Sequence, residues 1–149
     1  MIHIQKVTSL TLELLRPLIE PSLAEGYNFV QKLWEEYESG KVTFTGEGET
    51  LLGGYIDGKL VAIGGIHADP YLNQPHIGRI RHVYVLSEYR RTGIGKGLVL
   101  GLMESASETF TTVTLRTPTD HGRAFYNAIG FSGAPKYENA THWMDIHTV

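Results

Sequence analysis

Between residues 90 and 97 the chain reads Arg-Arg-Thr-Gly-Ile-Gly-Lys-Gly. Ahead of it, "IGRIRHVYVL" (77–86) is rich in β-branched and aromatic residues and reads as a strand. Behind it, Ile94, Leu98, Leu102, Ala106 and Phe110 recur every four places, one face of a helix. A strand that runs through a glycine turn into a helix builds an anion site. The first four N–H groups of a helix have no internal partner, and the helix dipole adds positive potential there. Gly93 and Gly95 carry no Cβ, so the backbone can approach a phosphate closely. Hydrogen bonds to a charged group are worth roughly 1.5–3 kcal/mol each, against about 0.2–1 kcal/mol for an exposed ion pair. The backbone is therefore expected to hold the phosphate, with Arg90, Arg91 and Lys96 assisting. The spacing is not that of a Walker loop, because Gly97 stands where Ser or Thr is needed. Nor is it a dinucleotide fingerprint, because the third glycine comes one place early. A glycine turn can also serve only to reverse the chain tightly.

The elements that must position this turn can be read along the chain. "IHIQKV" (2–7) alternates as a short strand. "SLTLELLRPLIE" has a helical pattern that Pro17 and Pro21 are expected to kink or end. "SLAE" (22–25) has the form of a capping box, which predicts a second helix starting at Ser22, with Glu25 reaching back. Leu23, Tyr27, Val30, Leu33, Trp34 and Tyr37 would line it, and Gly40 would stop it. "LLGGYIDGKLVAIGGIH" (51–67) is a hairpin turned by Asp57-Gly58, a pair suited to positive φ in a primed turn. After the strand at 77–86 and the helix behind the glycines, "TTVTLRT" (111–117) is a strand. Asp120 can cap a short helix holding Ala124, Phe125, Ala128 and Ile129 and ending at Gly130, and "THWMDI" (141–146) can be a last strand. The sum is an α/β domain with a mixed sheet and helices on both faces.

Composition narrows the function. The chain has 149 residues with 42% hydrophobic and 19% charged, enough for one domain with a real core. A net charge of −3 argues against a general nucleic-acid or membrane-surface binder. No cysteine is present, which excludes thiol catalysis, disulfides and thiolate metal sites. The histidines are scattered singly, and no metal-ligand spacing is found. The first residues lack the layout of a signal peptide, and no apolar run approaches a membrane span, so a cytoplasmic protein is expected.

"RRTGIG" (90–95) matches the pattern Arg/Gln-x-x-Gly-x-Gly/Ala, and "AFYNAIGF" (124–131) places a tyrosine ahead of a helix end and Gly-Phe. Together with the order of elements across residues 2–146, these resemble the GCN5-related N-acetyltransferase (GNAT) superfamily. The resemblance implies a single GNAT-type domain over residues 1–149 with a mixed, mostly antiparallel central sheet. It implies acetyl-CoA as co-substrate, bound where the strand before the glycine turn splays from its neighbour. The backbone of Val83, Tyr84 and Val85 would pair with the pantetheine arm. The N–H groups of Arg91, Thr92, Gly93, Ile94, Gly95 and Lys96 would hold the pyrophosphate, Arg90 assisting. A bulge near 80–83 would aim an N–H at the thioester oxygen, where negative charge develops. Tyr126 would be the general acid for the departing thiolate, while Phe125 and Ile129 pack the core. Thr119 stands where the family often has an asparagine. The implied reaction is direct transfer of an acetyl group to a primary amine of a small molecule or a protein. A homodimer, common in the family, is also implied. A non-catalytic acyl-CoA-binding or sensing module is the alternative of a different class, and a nucleotide-binding protein is a third.

The attacking amine must be neutral, yet an amine with pKa near 10 is mostly protonated at pH 7. Many family members carry a glutamate or histidine on the strand before the glycine turn to remove that proton. Strand alternation puts residues 79, 81, 83 and 85 on one face, the acceptor side by the family pattern. The first two are Arg79 and Arg81, which cannot act as bases. They suggest instead an acceptor with a carboxylate or phosphate beside its amine, or else they are paired with acidic neighbours. His67, His76, His82 and His121 remain as candidate bases, with His82 expected on the opposite face. Asp69 and Asp120 read as a turn residue and a helix cap. Tyr27 and Tyr71 could form an aromatic wall for the acceptor, while Trp34 reads as core.

Overall fold

The computed structural model describes residues 1–146. The elements run β1 (Ile2–Lys6), α1 (Leu12–Ala24), α2 (Phe29–Glu38), β2 (Thr50–Ile56), β3 (Lys59–Ala68), β4 (Ile77–Val85), α3 (Ile94–Ala106), β5 (Thr112–Leu115), α4 (Asp120–Ile129) and β6 (His142–Asp145). The strands form one sheet in the order β1-β2-β3-β4-β5-β6. Every neighbouring pair is antiparallel except β4–β5. The hairpin turns where Asp57-Gly58 predicts, with both residues at positive φ (51° and 78°). One apolar cluster gathers α1, α2 and the centre of the sheet around Leu15, Leu33 and Ile63. A second gathers α3, α4 and β5 around Val99, Leu102, Val113 and Tyr126.

Two expectations at the first helices fail, for one reason. α1 runs through Pro17 and Pro21 and ends only at Ala24. Both prolines lie off the buried stripe of Leu15, Leu18, Ile19 and Ser22. On that outer side, water can satisfy the carbonyls they leave free, and packing holds the helix together. The capping box at Ser22 therefore does not form. Ser22 is buried inside α1 with its hydroxyl donating to Ile19 O at 2.8 Å, and Glu25 is the residue that ends the helix. The next helix starts at Phe29, after Gly26 at φ +90°. At α4 the cap is Thr119, whose Oγ1 accepts from Gly122 N at 3.0 Å, while Asp120 pairs with Arg123 at 3.1 Å.

Most consequential is a bulge in β4. Gly65 pairs with Arg81 and Ile63 with Tyr84, so the single residue Gly64 faces both His82 and Val83. His82 absorbs the extra residue at φ +63°, in the left-handed region. The bulge breaks the strand's alternation. Arg81 and His82 both turn to α2, reaching Glu36 and Phe29 O, and Tyr84 follows them toward Glu25. Val83 packs above Gly64, and Val85 lies beside Gly95 at the start of α3. Residues 79, 81, 83 and 85 thus do not share a face, and His82 is not opposite Arg81.

Candidate active site

β4 pairs with β5 only at Ile77, Gly78 and Arg79, opposite Thr112, Val113 and Thr114. β5 then ends at Leu115 while β4 continues to Val85, leaving a gap beside residues 80–85. Leu86 N donates to Val61 O at 2.9 Å, so alternation turns the backbone groups of Tyr84 toward β3 and those of Val83 and Val85 into the gap. Of the three residues expected to offer backbone there, Tyr84 does not. Its phenol instead donates to Glu25, and burial, reinforced by that carboxylate, pushes it well above its ordinary value.

The glycine turn closes the end of this gap. Arg91 and Gly93 take positive φ (65° and 90°), which swings the chain into α3. Among the described residues, no N–H from Arg91 to Lys96 donates to another backbone carbonyl. A Cβ built on Gly93 would meet nothing within 4 Å, so the turn is open on that side. A left-handed arginine costs about 1–2 kcal/mol, strain of the kind that collects at ligand sites. Arg90 does not point into the turn. Its guanidinium holds Glu25 through two bonds of 2.9 Å, and its Nε donates to Val85 O at 3.0 Å. The hydrogen bonds from Arg90 hold the Glu25 carboxyl below its usual range despite partial burial. The side chain of Arg90 is thus a brace between the α1–α2 turn and the end of β4, not an extra phosphate ligand.

Across the gap, α4 presents two aromatic rings. Phe125 lies 3.5 Å from the position a Cβ would take on Gly95. Tyr126 is the buried residue of the helix at 8% exposure, stacked edge-on to Phe125 and Phe131. Phe125 and Ile129, half-buried, pack against the second cluster as expected, and Tyr126 is itself buried within it. Burial pushes the Tyr126 phenol up, so it stays protonated at neutral pH. Thr119, which stands where the family often has an asparagine whose contact a hydroxyl could replace, accepts from Gly122 N as the α4 cap.

On the α2 side of the sheet lies a cavity of about 660 Å³ lined by Lys32, Glu36, Glu49, His67, Tyr71 and Arg81, among others. Of the residues expected to meet an acceptor, Arg81 and Tyr71 line it. Arg79 and Tyr27 do not. Arg79 is 5% exposed, bonded to Asn139 O at 2.8 Å, 3.6 Å from Asp69 and stacked under the Tyr71 ring. Tyr27 packs against Phe29 in the first core cluster. Arg81 holds Glu36 bidentately at 3.0 Å and 3.0 Å. Burial would raise the Glu36 carboxyl, but Arg81's hydrogen bonds and charge outweigh it and keep it below the usual range. Both arginines are therefore matched by carboxylates. Glu36 and Glu49 went unnoticed in the sequence: neither sits in a motif, and their pairings, Glu36 with Arg81 and Glu49 with Ala68 N, span 45 and 19 residues.

The other candidate bases sort themselves by position. His76 and His121 are exposed and do not line the cavity. His82 is buried, donates from Nδ1 to Phe29 O and is lowered to about 4 by burial and then by Arg81. Asp69 is buried and committed to Thr114, Tyr71 N and Arg79. His67 alone among them lines the cavity.

The sheet is thus open between two parallel strands, β4 and β5, with the N-terminus of α3 at the mouth of the gap. The model of the acetyltransferase (GNAT) family matches residues 12–131, and the chain belongs to that family. Its fold is similar to that of a protein from Exiguobacterium sp. 255-15 assigned as an acetyltransferase, at 28% identity and TM-score 0.83, covering 97% of this chain and 93% of that one. It is similar also to glucosamine-6-phosphate N-acetyltransferase from Arabidopsis thaliana, at 23% identity and TM-score 0.64, covering 93% and 97%. A third likeness is to the ribosomal-protein-S18-alanine N-acetyltransferase from Escherichia coli, at 16% identity and TM-score 0.69, covering 100% and 96%. The last two show the fold alone. No curated protein sequence matches the chain. The α/β fold with its mostly antiparallel sheet is thus of the GNAT type, and membership supports an acyltransferase, in a family that generally uses acetyl-CoA. Among the described residues, no helix is long and apolar enough to cross a membrane.

Proposed function

We propose that the protein is an N-acetyltransferase that moves the acetyl group of acetyl-CoA to a primary amine by direct attack. The observation that carries this reading is the coincidence of two features. β4 loses its partner just past Arg79, and the same gap ends at a turn whose N–H groups are free. The residues fit the carrier: the backbone of Val83 and the N–H of Val85 offer a strand edge to its amide arm, the Val85 carbonyl being already bonded by Arg90, and the N–H groups of residues 91–96 offer its pyrophosphate a positive, close-approach seat. The carrier supplies the activated acyl group. The bulge at His82–Val83 turns a backbone N–H toward the place where oxygen charge would develop, and Tyr126 holds a proton for the thiolate. The cavity lined by Arg81, Glu36 and His67 would receive the amine, on a small molecule or on a protein. Because Arg81 and Arg79 are already paired, they carry no demand for an acidic acceptor.

The test is calorimetric titration with acetyl-CoA, then release of free thiol over a panel of amines. Micromolar binding with thiol release for one amine class supports the enzyme. Binding with no release from any amine supports a sensing module, which the lack of a carboxylate on β4 favours. No binding overturns both.

A further inference from the structure

The amine site needs a proton acceptor, and β4 supplies none. We propose that His67 takes that role, resting on the reading above: its Nε2 accepts a proton from the ammonium of the acceptor, directly or through one water.

His67 ends β3 at 4% exposure and forms part of the cavity wall. Its Nδ1 lies 2.8 Å from Ala68 O. A carbonyl can only accept, so Nδ1 carries the hydrogen and Nε2 carries the lone pair. That Nε2 is buried without a partner among the described residues. Leaving a buried acceptor unmatched is unfavourable, a cost that a bound ammonium or its water would remove. Phe44 fixes the ring from the other side, edge-on at 5.8 Å.

The surrounding charges set the imidazole's state. Burial lowers its pKa, and Arg81 on β4 adds to this, while Glu49 ahead of β2 and Glu36 on α2 oppose it. His82 on β4, Lys32 and Glu35 on α2, Lys41 beyond it and Tyr71 after β3 are the other ionisable neighbours on this side of the sheet. The ring is therefore neutral at pH 7, the form a base requires. Of the carboxylates lining the cavity, Glu35 is exposed and accepts from Gln31 at 3.4 Å, while the two deeper ones are committed. Glu36 has both oxygens on Arg81, and Glu49 spends its own on Gly46 N and Ala68 N. In the step itself one N–H bond of the ammonium breaks and an Nε2–H bond forms. The freed amine can then attack the thioester carbon, and the imidazolium later yields its proton to water at the cavity mouth.

The experiment is the pH profile of kcat/KM for the wild type and His67→Gln, using acetyl-CoA and primary amines of graded pKa. The wild type should show an acid limb below pH 6.5. His67→Gln should lose about 10²-fold or more at pH 7, lose that limb, and recover as the amine's own pKa falls. Undiminished acetyl-CoA binding by calorimetry shows that the variant is folded. A variant with the wild-type profile shape, whatever its rate, overturns the assignment. Nitrogen NMR of the wild type gives a second readout that needs no variant: a hydrogen on Nε2 rather than Nδ1 of His67 also overturns it. If the wild type acetylates no amine, the functional reading falls and this inference with it. If the wild type turns over and His67→Gln matches it, only the inference falls.

Discussion

Replacing Tyr126 by Phe separates packing from chemistry. The ring is 8% exposed and stacked against Phe125 and Phe131, and Phe keeps all of that. The hydroxyl donates to no other group among the described residues and is not among the buried unpartnered polar atoms, so its loss breaks no hydrogen bond within the protein. Stability should stay within about 1 kcal/mol of the wild type. If the phenol protonates the departing thiolate, kcat should fall by about 10²–10⁴, which is roughly 3–5 kcal/mol of transition-state stabilisation at 1.36 kcal/mol per tenfold. Acetyl-CoA affinity should hold. Thermal unfolding, calorimetry and thiol release measure the three quantities on one preparation. Because burial raises the phenol above its ordinary 10, the wild type should show no alkaline limb from Tyr126 below pH 10. A Phe variant with kcat within a factor of two of wild type would refute the acid role. A variant several kcal/mol less stable would refute the claim that the hydroxyl is unbonded.

Three further outcomes follow from particular contacts. Gly95→Ala should leave the fold intact, since its Cβ would meet Phe125 and Val85 at 3.5 Å and Ala favours the helix by roughly 0.5–1 kcal/mol. It should nonetheless weaken acetyl-CoA binding in calorimetry if the turn holds the pyrophosphate; unchanged affinity would count against that seat. The fall of His82 from 6.5 to about 4 favours the unfolded chain at every proton bound in between, so its contribution to stability is whole above pH 6.5 and lost on the way down to pH 4, a loss of roughly 3 kcal/mol. His82→Asn, which tolerates the positive φ, should flatten the urea-unfolding stability over that window; a wild-type minus variant difference constant with pH would disprove it. Gly65→Ala would set a Cβ 2.6 Å from the Phe44 ring, an overpacking that should cost about 1–3 kcal/mol in thermal unfolding.

Much of the site was legible because it is local. The glycine turn, the strand before it and the helix behind it are contiguous, and the hairpin at Asp57-Gly58 is a two-residue device whose backbone demand shows in its residue types. Tyr126 was singled out through its neighbours in sequence. What misled were features whose partners are distant. Ser22 and Glu25 have capping-box spacing, but Ser22 is sealed in α1 and Glu25 belongs to Tyr84 and Arg90, 59 and 65 residues away. Arg79 and Arg81 looked like substrate ligands until Asp69 and Glu36 were brought beside them.

The sequence by itself determined the order of most elements, the glycine turn and the family, because periodicity and turn chemistry are written into neighbouring residues. Only the tertiary structure decided which side chains are free to act. An extra residue at His82 reversed the facing of Val83 and Val85 relative to Arg79 and Arg81, and no residue type announces such a bulge. Side-chain pairing then consumed Arg90, Arg81, Glu36 and Asp69, leaving the Nε2 of His67 without a partner at the cavity. Charges select partners by distance in space, and that distance exists only once the chain has folded.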